Sequence, residues 1–340
     1  MDATARSGRA LIDATRPFAD EDPSRTLRET FVTFGALKLV WLVAALHAAP
    51  LALRALAGAI TGLILVRAFI LYHDALHGAL YRGPGRFARA MRALITLFGY
   101  VVLTPSRVWR STHNYHHAHT AQIVGSHIGS YATLTRAMYE KLSPRDRWMY
   151  RATRHPLTIA LGYLTVFLWG MCIGPFLRDR RNRREVLATL AFHGALHAAA
   201  LWLGGLSTWL LAVLLPLAVA CASGALLFYV QHNFPSMVLR SRETWQYTDA
   251  ALESSSYLKT GPVAAWFTGN IGYHHVHHLN PGIPFYRLAE AMAAVPELQR
   301  PHTVTLSLPA LWACLRLDVW DATLERMVPL AETPAPRPGV

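Results

Sequence analysis

The feature that most constrains this chain is a series of apolar runs, each about as long as a membrane is thick. The runs cover residues 31–50, 55–77, 157–177, 185–204 and 207–231. A helix needs about 20 predominantly apolar residues to cross the hydrocarbon core of a bilayer. The chain is also only 16% charged, whereas soluble domains are about 25% charged. We therefore predict an integral membrane protein that is helical almost throughout.

Basic segments between the apolar runs predict which helix ends face the cytoplasm. Residues 178–184 read RDRRNRR and further basic residues lie in 82–92 and 105–155, whereas 185–239 contains no lysine or arginine. Loops rich in Lys and Arg stay on the cytoplasmic side. Because the run 157–177 has basic segments at both ends, we expect it to be re-entrant or interfacial.

The remaining runs predict four transmembrane helices. Runs 31–50 and 55–77 form one out-and-back pair, and runs 185–204 and 207–231 form another. The run 93–104 would make only about 18 Å of helix, so it is interfacial or re-entrant. The predicted fold is an all-α integral membrane protein with four transmembrane helices, re-entrant or interfacial helices and a cytoplasmic histidine-rich cap.

The predicted organisation has three parts. Residues 1–30 are mostly polar and form a cytoplasmic N-terminal segment, with no apolar core of the kind found in secretory signal peptides. Residues 31–295 form the membrane domain, and residues 296–340 form a cytoplasmic C-terminal segment. Its end, 332–340, reads ETPAPRPGV, and such a proline-rich composition predicts disorder.

Histidine is the residue type whose pattern indicates chemistry. On a helix, positions i, i+3 and i+4 lie on one face with Cβ atoms about 5–6 Å apart. Neutral imidazole is the commonest metal ligand. Three motifs with this spacing, HDALH, HNYHH and HHVHH, therefore predict a metal centre. Their histidines are His73 and His77, then His113, His116 and His117, then His274, His277 and His278.

Topology places these three motifs on the same side of the membrane. His232, in FYVQHNF, ends the last apolar run on that side and makes a ninth candidate ligand. Nine imidazoles suffice for two metal ions, whereas a mononuclear zinc site needs three or four ligands. His193 and His197 also form H-x-x-x-H, but they lie about 14–20 Å into the bilayer past Arg184. We interpret them as helix-packing residues.

Other patterns exclude competing sites. The three cysteines form no C-x-x-C pair, so zinc-ribbon and iron–sulfur sites are not expected. GPGRFA at 83–88 resembles part of a dinucleotide-binding loop but follows a predicted helix rather than a strand. The net charge of +13 is explained by basic cytoplasmic loops rather than by nucleic-acid binding.

HDALH, HNYHH and HHVHH, in this order and separation, resemble the three histidine boxes of the membrane fatty acid desaturases. The stretch from FYVQHNF through TGNIGYHHVHHLNPGIPFYRL is similar to bacterial acyl-lipid or acyl-CoA desaturases of the methyl-end-directed type. The resemblance covers residues 30–295. It implies two iron ions held by histidines at the membrane surface, with O2 as co-substrate and an acyl chain entering a tunnel between the helices.

Carried over box by box, the resemblance also implies the iron ligands. The third box begins with His274 rather than with the glutamine of front-end desaturases, which disfavours that class. His127 stands where relatives often carry Asn or Asp. The implied ligands are His73, His77, His113, His116, His117, His232, His274, His277 and His278.

The chemistry independently favours iron. An unactivated methylene has no acidic proton, so breaking its C–H bond needs an oxidant made from O2 at a redox metal. Zinc has no redox chemistry, and imidazole suits iron. Two electrons must come from an external donor, because the chain has no cysteine cluster. We expect a ferredoxin, a rubredoxin-like protein or a cytochrome b5-like protein as partner, besides the acyl lipid substrate and membrane lipids.

Polar neighbours of the boxes are candidates to orient the imidazoles. Asp74 lies inside the first box, and Asn270, four residues before His274, is expected to share its helical face and hold a metal-bound water. Trp109 and Arg110 precede the second box and are candidates to contact the substrate headgroup. Trp109 could instead belong to the aromatic belt of the membrane interface. Further candidates are Asp249 and Glu253.

The predicted function is O2-dependent desaturation of a fatty acyl chain to a cis double bond. The alternative within the same mechanistic class is hydroxylation, epoxidation or ketolation of a lipid. A metal transporter is disfavoured because transporters bind their cargo near the bilayer midplane. We expect a bacterial inner-membrane protein with a cytoplasmic active site. Double-bond position, chain length and acyl carrier are not encoded in a linear motif.

Overall fold

The computed structural model describes residues 6–332, and this part of the chain is mostly helical. The C-terminal end predicted to be disordered, 332–340, lies outside the described residues apart from Glu332. The α-helices are α1 Gly8–Thr15, α2 Pro23–Ala45, α3 Leu51–His77, α4 Arg86–Val101, α5 Ser106–His119, α6 Arg136–Glu140, α7 Pro144–Arg154, α8 Pro156–Ala160, α9 Gly174–Arg178, α10 Arg183–Trp209, α11 Leu215–His232, α12 Tyr247–Glu253, α13 Pro262–Phe267, α14 His274–Leu279, α15 Leu288–Ala294 and α16 Leu308–Leu315. Two π-helical stretches, Tyr163–Ile173 and Leu210–Leu214, precede α9 and α11.

Four short strands lie in the part of the chain that follows α12. They are β1 Tyr257–Lys259, β2 Thr303–Thr305, β3 Val319–Asp321 and β4 Arg326–Val328. β1 pairs in parallel with β2, and β3 pairs in antiparallel fashion with β4. The predicted all-α fold is therefore corrected to a mostly helical fold with two small sheets. Segments this short carry no clear period-2 pattern by which the sequence could have predicted them.

Helices α2 and α3 form an antiparallel hairpin. The Asp22 carboxylate accepts hydrogen bonds from backbone N–H groups at the start of α2, so this helix begins earlier than the predicted run 31–50. The Arg67 guanidinium donates to the Thr33 hydroxyl at 3.0 Å. At the other end of the hairpin, Arg54 donates to the carbonyl of Ala44 at 3.0 Å, which caps the C-terminus of α2.

Helix α10 turns back on itself at Gly205, whose φ of 68° and ψ of −176° are not helical. The indole N–H of Trp209 donates to Nδ1 of His197 at 2.9 Å. On a straight helix, residues twelve apart would be about 18 Å apart, so the chain reverses between them. This reversal lies where the sequence predicts a turn between the runs 185–204 and 207–231.

Two glycines let α3 approach the segment that leads into α11. A Cβ added at Gly62 would lie 2.6 Å from Cβ of Val219, and one at Gly58 would lie 2.3 Å from the carbonyl oxygen of Leu211. Both distances are too short for any side chain. The pair forms a G-x-x-x-G motif, which brings apolar helices into close contact in membranes. Since α3 ends in His77 and α11 ends in His232, this packing sets the spacing of the two helix ends.

Two helical stretches are long and apolar enough to cross a membrane, Leu51–His77 and Arg180–His232, the second of which contains the reversal. A third span is added if the pair Arg86–Val101 and Ser106–His119, bent by 90°, is counted as one broken or re-entrant element. The predicted run 157–177 is a shorter apolar helix, Tyr163–Arg178. Length and composition thus give two to three candidate spans among the described residues, fewer than the four predicted.

The N-terminal residues pack on the C-terminal part of the chain. Arg6 and Glu297 form an ion pair at 2.8 Å, and Arg25 and Glu290 form another at 2.6 Å. The side-chain amide of Asn280 donates to the hydroxyl of Thr15 at 2.9 Å. These contacts hold α1 and the start of α2 against the segment that carries α14 and α15.

Candidate metal centre

Four segments bring their histidines to one place. His73 and His77 lie one turn apart at the end of α3, and the second box lies on α5. The third box forms α14, and His232 is the last residue of α11. Except for His77, which is partly buried, the nine predicted ligands are buried. The structure therefore brings together every histidine that the sequence predicts as a ligand.

The first cluster contains five histidines whose ligand nitrogens all lie within 4.8 Å of one another. Nε2 of His113 is 3.1 Å from Nε2 of His73 and 3.1 Å from Nε2 of His117. Nε2 of His277 is 3.1 Å from Nε2 of His117. The members are His73, His77, His113, His117 and His277.

The second cluster contains His116, His232 and His278, again with all ligand nitrogens within 4.8 Å of one another. Nε2 of His232 lies 3.1 Å from Nε2 of His116. His274 adjoins this cluster, since its Nε2 lies 2.8 Å from Nε2 of His232. Both clusters draw on the second and third boxes, so neither box alone makes a complete site.

The donor set fits metal ions. Burial lowers the pKa of His274, His277 and His278 well below the ordinary value of 6.5, so these rings are neutral and offer a lone pair. A nitrogen–metal bond is about 2.1 Å, so two ligands at a right angle are about 3 Å apart, which matches the Nε2 separations. Several buried ring nitrogens also have no hydrogen-bond partner among the described residues. A bound cation would be the partner of those nitrogens that face it. Among the unpartnered atoms are His77 Nε2 and His278 Nε2.

Outer contacts fix the orientation of two rings. Nδ1 of His73 lies 2.8 Å from a carboxylate oxygen of Asp74, whose other oxygen accepts from the backbone N–H of Phe285 at 2.7 Å. Nδ1 of His232 lies 3.1 Å from the carbonyl oxygen of Ser254. In each case the Nδ1–H donates, which leaves Nε2 as the acceptor or ligand atom. The sequence singles out Asp74 but gives no signal for Ser254, because that contact is made by the backbone.

Trp109 is part of the wall of the first cluster. Its ring stacks on that of His113 at a centroid distance of 4.2 Å and meets His73 edge-on at 5.2 Å. Only 6% of the residue is exposed. A position in the aromatic belt of the membrane interface is therefore wrong, because the indole is enclosed among imidazoles.

The other residues predicted to orient the imidazoles or to contact the substrate do not contact the histidine clusters in the ways described for Asp74 and Trp109. Asn270 has a φ of +54° and precedes α14, so it does not share a helical face with His274. Glu253 is paired with Arg240 at 2.7 Å. Arg110 is exposed on α5, and His127 is exposed in the loop that follows it.

His275, which the sequence does not single out, is fully buried within the third box. Its Nε2 donates to the carbonyl of Leu298 at 3.1 Å, on the side of α14 away from both clusters. This hydrogen bond ties the third box to the C-terminal segment. His275 follows His274 by one position, so it does not share the helical face of His274, His277 and His278. From this spacing the sequence could have predicted a structural role for His275.

His193 and His197 form a hydrogen-bonded chain with Tyr163. Because the indole of Trp209 donates to Nδ1 of His197, the Nε2 of this ring carries the proton and points to the Tyr163 oxygen at 3.3 Å. The Tyr163 hydroxyl donates to Nε2 of His193 at 2.6 Å, and Nδ1 of His193 donates to the carbonyl of Val101 at 2.9 Å. Every ring nitrogen is satisfied in its neutral form without a cation, in agreement with the predicted helix-packing role.

A small polar cavity lies beside the second cluster. His116 and His232 form one wall, and Tyr131 forms part of another. The hydroxyl of Tyr131 is buried without a hydrogen-bond partner. The cavity therefore gives the second cluster a polar surrounding, in contrast to the aromatic wall that Trp109 gives the first.

Comparison with known proteins agrees with this geometry. The sequence profile of the fatty acid desaturase family matches residues 49–309. A fatty acid desaturase of Bacillus subtilis is 31% identical over 95% of this chain and 91% of its own length. An sn-1 oleoyl-lipid 12-desaturase of Synechocystis is 24% identical over 70% of this chain and 66% of its own length. A probable fatty acid desaturase of Sorghum bicolor is 26% identical over 76% of this chain.

The family match spans more than half of the chain and includes the eight histidines of the two clusters and the adjoining His274. The predicted resemblance is confirmed, as are the predicted enzyme class and lipid desaturation: the protein is an oxidoreductase that acts on paired donors with O2. This chain belongs to the fatty acid desaturase family.

Proposed function

We propose that this desaturase introduces a cis double bond into the acyl chain of a membrane lipid at a histidine-ligated di-iron centre. The observation that carries the proposal is the convergence of eight imidazoles into two adjacent clusters, with His274 adjoining the second. The name of the Synechocystis relative, an oleoyl-lipid desaturase, supports a lipid-bound acyl chain as the substrate.

The two clusters divide the proposed ligands between two iron ions. His73, His77, His113, His117 and His277 would hold one ion, and His116, His232 and His278 with the adjoining His274 would hold the other. Iron bound there would supply the O2-derived oxidising power that removal of hydrogen from an unactivated methylene requires. Overall, two C–H bonds break, one C=C bond forms, and O2 with two electrons and two protons becomes two molecules of water.

The chain's own residues prepare the site for this reaction. Asp74 and the carbonyl of Ser254 hold His73 and His232 in the tautomer that offers Nε2 inward. Trp109 covers the first cluster with an apolar ring, which excludes water from that side. Arg110, exposed on α5 one turn before His113, remains a proposed contact for the polar headgroup of the substrate.

The proposed membrane topology keeps four spans. The hairpin of α2 and α3 and the hairpin that reverses at Gly205 would each cross the membrane twice, with residues 1–30 and 296–340 cytoplasmic and 31–295 forming the membrane domain. This proposal is supported by the basic segment 178–184 beside the ends that carry the histidines. The active site would then face the cytoplasm, in a bacterial inner membrane.

Electrons would come from a separate carrier protein, a ferredoxin, a rubredoxin-like protein or a cytochrome b5-like protein. The net charge of +13 favours an acidic carrier, because opposite charge speeds association.

The test is expression of the full chain in a host that lacks the activity, followed by gas chromatography and mass spectrometry of the lipid fatty acids. We expect a new monounsaturated or further desaturated acyl chain with cis geometry. The His116→Ala variant, inserted in the membrane at the same level, should give none. A hydroxy, epoxy or keto lipid in place of a new double bond would overturn the proposal in favour of the related lipid oxygenases.

A further inference from the structure

An exposed apolar patch lies on the part of the chain that follows the last membrane helix. We call it the cap patch, and its residues come from α13, from the end of β2 and from α16. The exposed fractions are 69% for Val263, 45% for Leu306, 84% for Leu308 and 55% for Trp312. Exposed leucine and tryptophan side chains clustered on one face mark a surface with an apolar partner.

The two halves of the cap patch are joined to each other. The backbone N–H of Leu306 donates to the carbonyl of Lys259 at 3.1 Å, which extends the pairing of β1 with β2. β1 leads into α13 and β2 leads into α16. The small parallel sheet therefore carries both apolar segments on one support.

Each half is also attached to a membrane helix close to the end that carries its histidines. The carbonyl of Trp266, in α13, accepts from the Arg67 guanidinium at 2.5 Å, and Arg67 lies six residues before His73 on α3. Six residues of helix correspond to about 9 Å. α13 thus lies deeper along α3, away from its cytoplasmic end, than the first cluster does.

The contacts of α16 lie at the end of α11. The side chain of Asn233 donates to the carbonyl of Cys314 at 2.7 Å, and the hydroxyl of Tyr229 lies 3.5 Å from the carbonyl oxygen of Leu317. Helix α16 also packs directly on α11. α16 therefore lies alongside the end of a membrane helix, not above it.

These contacts place the cap patch at the level where α3 and α11 end, and another exposed apolar segment lies against α11. Leu157 and Leu161, in and beside α8, are 60% and 45% exposed, and α8 packs on α11 as α16 does. Lys259 and Arg316 are exposed at the edges of the patch, where cations meet anionic headgroups. Tryptophan, here Trp312, is enriched at the interface between membrane and water.

We propose that the cap patch is an interfacial membrane anchor, with α13 and α16 inserted into the headgroup region of the bilayer. Helices of this kind bury their apolar face about 5–10 Å into the boundary between headgroups and acyl chains. α13 precedes α14 and α16 follows it, so the anchor attaches the chain to the membrane on both sides of the helix that holds the third histidine box. This inference does not depend on the identity of the metal or of the lipid product.

The test uses the full chain, reconstituted in vesicles of phosphatidylcholine and phosphatidylglycerol. Single variants Leu308→Cys and Val263→Cys are labelled with an environment-sensitive fluorophore, and the native cysteines are buried. Gln299→Cys, at an exposed position in the same C-terminal segment, is the matched control. Iron content equal to that of the unsubstituted chain verifies that each labelled variant is folded.

We expect lipids with a spin label on the acyl chain to quench most of the emission at positions 308 and 263, and aqueous iodide to quench little. The control should show the reverse. Quenching of all three labels by iodide would overturn the anchor, because the patch would then face water. Labels at 308 and 263 that neither lipid nor iodide quenches would also overturn it, since a second copy of the chain would cover the patch.

Discussion

Asp74 holds the imidazole of His73 from the side opposite to the metal cluster, with 2.8 Å between the carboxylate oxygen and Nδ1. Its second oxygen accepts from the backbone N–H of Phe285 at 2.7 Å. The first histidine box is therefore tied, through one carboxylate, to the chain just after the third box. Because both oxygens are engaged, Asp74 fixes the direction of the carboxylate as well as the tautomer of the ring.

Replacing Asp74 with asparagine should weaken iron binding more than it weakens the fold. The amide can turn its NH2 group toward His73, which favours the tautomer with the proton on Nε2, and loss of such a contact typically lowers metal affinity by about 10–100-fold. Iron per chain, measured across a chelator titration, checks this. Asp249→Asn is the control, because that carboxylate accepts from the hydroxyl of Thr248 at 3.4 Å and has no hydrogen bond to an imidazole among the described residues. Equal chelator sensitivity in D74N and the unsubstituted chain would contradict the assignment.

Two neighbours in α14 should respond in opposite ways to substitution. His277→Ala removes a proposed ligand and should abolish desaturation and lower iron content, with the protein still inserted in the membrane. His275→Gln keeps a donor toward the carbonyl of Leu298, so it should retain iron. The changed shape of a fully buried side chain should lower stability by about 1–3 kcal/mol. Metal analysis and thermal unfolding of the two variants separate these effects. Iron loss in H275Q without unfolding would contradict the structural role that the hydrogen bond to Leu298 gives His275.

The contrast in α14 also shows how far sequence reasoning extends. The spacing i, i+3, i+4 predicts which histidines of the third box converge, because helical geometry alone decides it. The reversal near Gly205 is likewise predicted, since an uncharged turn separates two apolar runs. The left-handed backbone of Asn270 is not predicted, because it depends on where α14 begins.

Contacts between distant segments account for the other differences. The stacking of Trp109 on His113 follows from the inward face of α5, whereas composition alone predicts an interfacial tryptophan. The close approach of α3 to α11 could have been predicted from the sequence, since Gly58 and Gly62 have the G-x-x-x-G spacing. The 90° bend between α4 and α5 could not, because Pro105 marks the start of α5 but does not fix the angle between the two helices.

Gly62→Val should separate α3 from α11. The added side chain would meet Val219 and the carbonyl of Pro216, which lies 2.7 Å from an added Cβ, so the helices must shift. We expect a loss of stability of about 1–3 kcal/mol and a lower iron content, because the ends of these helices carry ligands of both clusters. Gly194→Ala is the control, with no heavy atom within 4 Å of the added Cβ. Unchanged unfolding in G62V would contradict the packing described here.

Trp209→Phe should affect stability but not metal content. The substitution removes the donor to Nδ1 of His197, and side-chain hydrogen bonds within membranes contribute on average about 0.6 kcal/mol. Unfolding in detergent should therefore shift slightly, with iron and activity retained. Trp202→Phe serves as the comparison, because Trp202 is 87% exposed on the same helical hairpin. A fall in iron content in W209F alone would indicate that His193 and His197 bind metal after all.

The iron content of the purified full chain, measured by plasma mass spectrometry together with protein concentration, tests the central claim most directly. Two proposed clusters predict two irons per chain in active protein, and His232→Ala, which disrupts only the second cluster, should reduce the ratio to about one. Active protein without iron, or with zinc in its place, would contradict the account. So would a ratio of two that persists when His232 is removed.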